Sequence, residues 1–120
     1  MMYKIKIKRI YEPYQKTDGF RVLVDRLWPR GIDKEKGHID VWLKEVAPSN
    51  FLRKWFNHDV TKWKSFVEKF YKELQDAESI KELVKLLQEH KTITLLYAAK
   101  DMQHNNAVAL QEFLKKASDK

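Results

Sequence analysis

Three segments of the chain predict β-strands, the first by its alternation of polar and apolar residues and the other two by their apolar runs. Residues 4–8 alternate Lys with Ile, as in a half-buried strand whose Lys-rich face suits the edge of a sheet. Residues 20–25 are more apolar and predict a central strand, and residues 92–97 form a third, β-branched run. Residues 39–46 fit either a strand or a helical turn.

Apolar side chains recur at helical spacing in the remaining segments. Ser49 is a good N-cap for a short helix, and residues 61–76 predict a longer one. Ser79 and Glu82 make a capping box for the next helix. A last helix is expected after Asp101, with His104 in its first turn.

The order of these elements predicts the fold class. Long helical crossings between the second and third strands favour a parallel pairing with a right-handed crossover. We therefore expect residues 1–120 to form a single small α/β domain, in two or three layers. Its sheet is expected to be mostly parallel, with three or more strands packed with about four to five helices. The direction of the first strand stays open, because its connection is short for a parallel crossover.

Composition narrows the class of protein. The chain has 120 residues, 43% of them hydrophobic, which suits one core in one domain. It has no cysteine, so a disulfide framework and a thiolate site are excluded and a cytoplasmic location is expected. The N-terminus lacks the apolar run of a signal peptide, and no segment is apolar for long enough to predict a membrane helix. The net charge of +7 favours anionic partners.

Charged residues follow the second and third predicted strands. Ligands of open α/β sheets bind at the carboxyl ends of the strands, so these residues are expected to share one crevice. Anion-holding cations, acid–base groups and a stacking ring would make up such a site. The candidate catalytic residues are Asp25, Asp101 and His104, and the candidate ligand-binding residues at the strand ends are Arg26, Trp28, Arg30, Lys100 and Asn105.

Three further residues are candidates for the side of the crevice. Lys44, Ser49 and Arg53 belong to one block of the sequence that could line it. Each candidate also has a structural alternative: Asp25 could pair with a neighbouring Arg, and Asp101 could be the N-cap of the last helix. Trp28 is more typical of a core aromatic residue than of a stacking face.

The histidines give no sign of a metal site. His38, His58 and His104 are far apart and have no zinc-type spacing, so neither a metal nor another cofactor is expected. His58 and Asp59 are interpreted as the polar entry to the long helix. The three glycines do not form a phosphate-binding loop.

Several blocks of the sequence resemble a known family. These blocks are KRIYEP, DGFRVLVDRLWPRG, WLKEVAPS, LRKWFNHD and LLYAAKDMQHNNAVALQEFL. Together they are similar to the YeaO-like branch of the domain-of-unknown-function 488 family, over about residues 8–114. The resemblance implies an α/β fold and the same two strand ends as the site, but no established activity. Where the wider family has a Cys-His-Arg segment, this chain has Gln103, His104 and Asn105.

Three classes of function fit these observations. The first is a site for an anionic small molecule such as a nucleotide or phosphorylated metabolite, which the protein would bind and could turn over. The second is non-catalytic nucleic-acid binding, as in a transcription regulator, which the net charge of +7 and the Arg-rich first half of the chain favour. It predicts a steep salt dependence. The third is a protein-interaction module. No membrane partner is expected, and the sequence does not predict the oligomeric state.

Overall fold

In residues 3–118, which this computed structural model describes, four parallel strands form one sheet in the order β1-β4-β2-β3. The strands are β1 (Lys4–Arg9), β2 (Phe20–Leu23), β3 (Val41–Trp42) and β4 (Thr92–Tyr97). The predicted parallel pairing of the second and third predicted strands is confirmed as the β2–β4 pair. The first predicted strand lies at an edge, as its Lys-rich face indicated.

Four α-helices accompany this sheet within the described residues: α1 (Asn50–Phe56), α2 (Trp63–Gln75), α3 (Glu78–His90) and α4 (Asn106–Ser118). Short 3₁₀ turns occur at Lys16–Asp18, Lys44–Val46 and Val60–Lys62. The ambiguous segment at residues 39–46 therefore contains both a two-residue strand and a helical turn. The α/β fold class is confirmed.

The helices pack on one face of the sheet, because alternate strand residues point to opposite faces. Val22, Ile93 and Leu95 join the main core cluster together with buried residues of all four helices. Leu23 and Leu96, which alternate with them, form a separate cluster with Ile10 on the other face. Partly buried side chains of the loops after β2 cover this second cluster, so the domain has two regular layers and a covering of loops.

The direction of β1 follows from the position of β4. β1 runs parallel to β4, and β4 separates it from β2. The connection at residues 10–19 must therefore return from the carboxyl end of β1 to the amino end of β2. Ten extended residues reach roughly 33 Å, which is more than the length of either strand, so a short loop suffices.

Two predicted helix starts are wrong. α3 begins at Glu78 after the N-cap Ala77, and no side chain caps it, so Ser79 lies inside the helix. α4 begins at Asn106, so His104 lies in the turn before the helix instead of in its first turn. Ser49 is confirmed as an N-cap, because its hydroxyl accepts the Leu52 N–H at 3.1 Å.

Candidate functional site

The carboxyl ends of β2 and β4 are joined beyond the regular strands. The Val24 N–H donates to the Leu96 carbonyl at 3.1 Å, and the Ala98 N–H donates to Asp25 Oδ2 at 2.9 Å. The Asp25 carboxylate thus continues the hydrogen-bonded ladder by one step. The polar segments that follow the two strands therefore lie side by side.

A cleft of about 810 Å³ opens at this edge of the sheet. Its lining includes nine of the eleven candidate site residues, which are Asp25, Arg26, Trp28, Arg30, Arg53, Lys100, Asp101, His104 and Asn105. The volume lies within the range of roughly 300–1,000 Å³ typical of small-molecule sites. The strand ends that were predicted to share a crevice therefore lie at this cleft.

Asp25 is mostly buried beside β4, and burial raises the pKa of its carboxyl group. Hydrogen bonds from the Ala98 N–H and the Asn106 side chain act in the opposite direction, as does the charge of Arg53, but burial outweighs them. The Asn106 amide also donates to the Val24 carbonyl at 2.8 Å. Asp25 is thus a desolvated carboxyl group in a cleft, the setting in which shifted acid–base groups are found.

Asp101 and His104 form a hydrogen-bonded pair that also lines the cleft. Asp101 Oδ1 accepts the backbone N–H groups of Gln103 and His104 at 2.9 and 3.0 Å, and these bonds lower the pKa of Asp101. Its other oxygen, Oδ2, lies 3.0 Å from His104 Nδ1. An ionised carboxylate accepts a hydrogen bond from Nδ1–H, and in a neutral imidazole with its proton on Nδ1 the lone pair lies on Nε2. The Trp63 ring packs against the imidazole at 5.3 Å.

Cations line the cleft from several elements. Arg30 follows β2 and Lys100 follows β4, and neither side chain makes a hydrogen bond or ion pair with the described residues. Arg53 comes from α1, where one guanidinium nitrogen donates to Asn50 Oδ1 at 3.1 Å. Cations without partners at a concave surface are suited to an anion.

Arg26 has a different environment from Arg30. Its Nε and Nη2 atoms donate to the carbonyls of Pro48 and Ala47 at 3.3 and 3.0 Å. Glu45 lies 3.6 Å from Nη1. These contacts fasten the segment before α1 to the end of β2, so the guanidinium already has partners where it lines the cleft.

Trp28 combines the two interpretations made from the sequence. Its ring packs with the loop-side cluster and meets Trp42 edge-on at 5.4 Å, while its Nε1–H donates to the Ile32 carbonyl at 2.8 Å. The same residue lines the cleft. Trp28 is therefore a packed aromatic wall.

Two candidates do not line the cleft, and a third has a structural role. Lys44 lies over the Trp42 ring at 5.5 Å, and Ser49 is bonded to Glu73 as well as to the first turn of α1. Asn105 is the side-chain cap of α4: its Oδ1 accepts the Val108 N–H at 3.0 Å, and its amide donates to the Asp101 carbonyl at 2.9 Å. The alternative role considered for Asp101, capping the helix, is thus performed by Asn105.

Sequence reasoning missed several cleft residues, which come from the end of β1 and from loops. Arg9 donates to the Ala98 and Ala99 carbonyls at 3.2 and 3.0 Å, and Tyr11 lies beside it. His58 enters from the loop after α1, where its φ of 56° turns the chain. Arg9 ends a predicted strand and could have been found by the strand-end rule, whereas nothing in the local pattern indicates His58.

The described part of the chain has neither a candidate metal site nor a candidate membrane-spanning helix. No group of three or more His, Cys, Asp and Glu side chains there could hold a metal ion. No helix there is long and apolar enough to cross a membrane.

The fold and the cleft together define a small parallel α/β protein with a polar, cation-lined crevice at the carboxyl ends of its strands. The chain belongs to the domain-of-unknown-function 488 family, and it is YeaO-like. The family model described as "Inactive DUF488-N3 subclade" matches residues 4–120.

Curated relatives agree with this membership. The chain is 40% identical over 111 residues to uncharacterized protein YeaO of Escherichia coli, a match that covers 92% of this chain and 96% of that protein. It is 35% identical over 111 residues to uncharacterized protein Rv3073c of Mycobacterium tuberculosis, covering 92% of this chain and 93% of the relative. No solved structure matches the chain.

Proposed function

We propose that the cleft binds a small anionic molecule that carries a phosphate group, such as a nucleotide or a phosphorylated metabolite. The observation that carries this proposal is the pair Arg30 and Lys100. These two cations come from different strand ends, line the same cleft and have no partner within the described residues. A phosphate between them would acquire charge-assisted hydrogen bonds, the strongest kind available to exposed side chains.

The rest of the lining suits the remainder of such a molecule. Trp28, Pro48 and Phe56 give the cleft apolar walls beside its cations. A pocket of mostly apolar lining with a few polar groups is the usual form of a small-molecule site. This supports a ligand that joins an anionic group to a ring or another apolar part.

Binding is proposed here rather than turnover. The description of the matching subclade as inactive favours a protein that does not turn its ligand over catalytically. In this proposal Asp25 and His104 contact the ligand, and Asp101 holds the His104 ring in place. Nucleic-acid binding and a protein-interaction role gain no support from a specific observation, and the absence of cysteine supports a proposed cytoplasmic location.

Calorimetric titration with three probes tests the proposal: inorganic phosphate, adenosine monophosphate and adenosine. We expect phosphate and the monophosphate to bind and adenosine to bind far more weakly. Arg30→Gln and Lys100→Gln should each weaken monophosphate binding about tenfold, because each removes a charge-assisted hydrogen bond.

Lys85→Gln is the matched control, because Lys85 is an exposed lysine on α3 and does not line the cleft. Its removal lowers the net charge equally but should leave binding unchanged. Equal weakening by all three substitutions would mean that overall charge, and not the cleft, attracts the anion. Absence of binding of both phosphate probes at millimolar concentration would refute the proposal.

A further inference from the structure

The chain has four histidines, and their surroundings differ. His38 stacks on Tyr14 at 4.0 Å, and His90 stacks on Phe20 at 3.9 Å, both away from the cleft. His58 and His104 line the cleft. Among the described residues, only His104 has its Nδ1 atom hydrogen-bonded to a carboxylate, that of Asp101.

This pairing prepares one nitrogen of His104 for reaction. The Asp101 carboxylate is itself held by two backbone N–H groups, so it fixes both the ring orientation and the proton on Nδ1. Nε2 makes no hydrogen bond within the described part of the chain, and the His104 side chain is 32% exposed. A lone pair on an oriented, accessible nitrogen is the requirement for a histidine nucleophile.

The cleft has few alternatives to this nucleophile. The chain contains no cysteine, and none of the Ser and Thr side chains that the structure describes lines the cleft. Arg30 and Lys100 line the same cleft as His104, and their positive charges can neutralise the oxygens of a phosphoryl group bound there. Neutralising those oxygens and positioning the nucleophile are the main contributions that proteins make to phosphoryl transfer.

We propose that His104 Nε2 accepts a phosphoryl group from an acyl phosphate bound in the cleft, which makes His104 a covalent modification site. This inference rests on the proposed phosphate binding and extends it. The Nε2 lone pair attacks phosphorus, and the bond between phosphorus and the bridging oxygen breaks. The carboxylate leaves with that electron pair, so no further proton is needed.

The product also fits its surroundings. The phosphorylated ring carries a positive charge while Nδ1 keeps its proton, and the Asp101 carboxylate neutralises that charge at 3.0 Å. The lowered pKa of Asp101 keeps this carboxylate ionised at neutral pH. Nothing is oxidised or reduced, and one phosphoryl group is transferred for each carboxylate released. The step needs neither a thiol at Gln103 nor a guanidinium at Asn105.

To test this inference, the full chain is incubated with acetyl phosphate and its intact mass is measured over time. The modified residue is then identified by peptide mapping under conditions that preserve phosphohistidine. We expect one acid-labile phosphoryl group per chain, mapped to His104. His104→Gln should lose it, and His58→Gln, which alters the other cleft histidine, should retain it. Mapping of the unsubstituted protein distinguishes the four histidines even if a variant folds poorly.

Asp101→Asn tests the positioning residue. We expect the rate of modification to fall about ten- to a hundredfold, the range for carboxylates that orient a ligating histidine, while the affinity for inorganic phosphate is not weakened. A purely structural role for Asp101 would instead reduce the melting temperature and phosphate affinity together. An unchanged rate in this variant would contradict the assigned role.

The remaining outcomes separate the two proposals. If inorganic phosphate binds in the cleft but acetyl phosphate leaves His104 unmodified, the binding function stands and this inference is wrong. If phosphate does not bind, both are wrong. Equal labelling of all histidines, or labelling that persists in His104→Gln, would show nonspecific reaction and overturn the inference.

Discussion

Asp25 occupies a position in which the fold favours its neutral form. Because burial raises the pKa of Asp25, its contribution to stability is fully present below the unfolded-state value of about 3.9 and is lost as the pH rises through the folded value. At neutral pH the ionised carboxylate therefore destabilises the native state. Proteins retain such groups where function requires them.

We therefore expect Asp25→Asn to raise the melting temperature at pH 7, with the difference shrinking toward pH 4. A gain of about 1 kcal/mol would raise the melting temperature by roughly 4 °C in a domain of this size. Asn keeps an oxygen that can accept the Ala98 N–H, whereas Asp25→Ala removes it and should destabilise the protein at every pH. Thermal melts between pH 4 and 8 measure both. A loss of stability in Asp25→Asn that does not depend on pH would contradict this account.

Single residues were predictable from sequence where a regular element delivers them. Asp25, Arg30 and Lys100 follow strands that are recognisable as apolar runs, and the parallel pairing brings them to one edge. Lys44 and Ser49 do not line the cleft, because Lys44 lies in a 3₁₀ turn and Ser49 is hydrogen-bonded to Glu73. The spacing of apolar residues in the sequence does not indicate the path of such a loop.

At the scale of the elements, the residue at which the last helix begins determines how the Asp101 turn is held in the cleft. Asn105 is 4% exposed and joins the first turn of α4 to the Asp101 carbonyl, so it fixes the helix and the Asp101 turn together. The sequence placed the start at Asp101, because Asp and Asn are equally good N-caps and four polar residues precede the apolar stripe. Whether Asp101 or Asn105 caps the helix depends on how the apolar residues of α4 pack in the folded domain.

We expect Asn105→Ala to lower the free energy of unfolding by about 1 kcal/mol, the usual effect of losing a side-chain cap. Ser79→Ala is the matched control: the sequence predicted a cap there, but Ser79 lies within α3, where Ala is a better helix former. Its unfolding free energy should stay within about 0.5 kcal/mol of the parent value. Urea titration of both variants measures this, and equal losses would disprove the capping assignment.

At the scale of the whole molecule, the two faces of the sheet are covered by different means. The helical face was predictable, because its stripes of apolar residues repeat at helical spacing. The other face is covered by irregular segments, which carry no such repeat, and one of them is the loop at residues 10–19 between β1 and β2. That loop carries Asp18, which is 2% exposed and forms ion pairs with Lys8 and Arg21.

Arg21 extends this cluster across the loop face. Its Nε and Nη2 atoms donate to the carbonyls of His38 and Gly37, both at 3.0 Å, so one buried guanidinium joins the strand to both covering loops. Burial alone would raise the pKa of Asp18, but hydrogen bonds from Lys8, the Gln15 N–H and Arg21 outweigh it and lower the pKa. The Asp18 carboxylate therefore stabilises the fold above its unfolded-state pKa, and this stability is lost as the pH falls through the folded value.

Asp18→Asn should therefore lower the free energy of unfolding at pH 7 by about 3–5 kcal/mol, because it leaves the buried Arg21 charge uncompensated. The deficit relative to the parent should begin to shrink as the pH falls below about 4 and should vanish below the lowered folded pKa of Asp18, where the parent loses the same charge. Asp76→Asn, at an exposed position after α2, should change stability by less than about 0.5 kcal/mol. Urea titrations at several pH values test this. A deficit that is constant with pH would mean that shape, and not the carboxylate charge, holds the loops on the sheet.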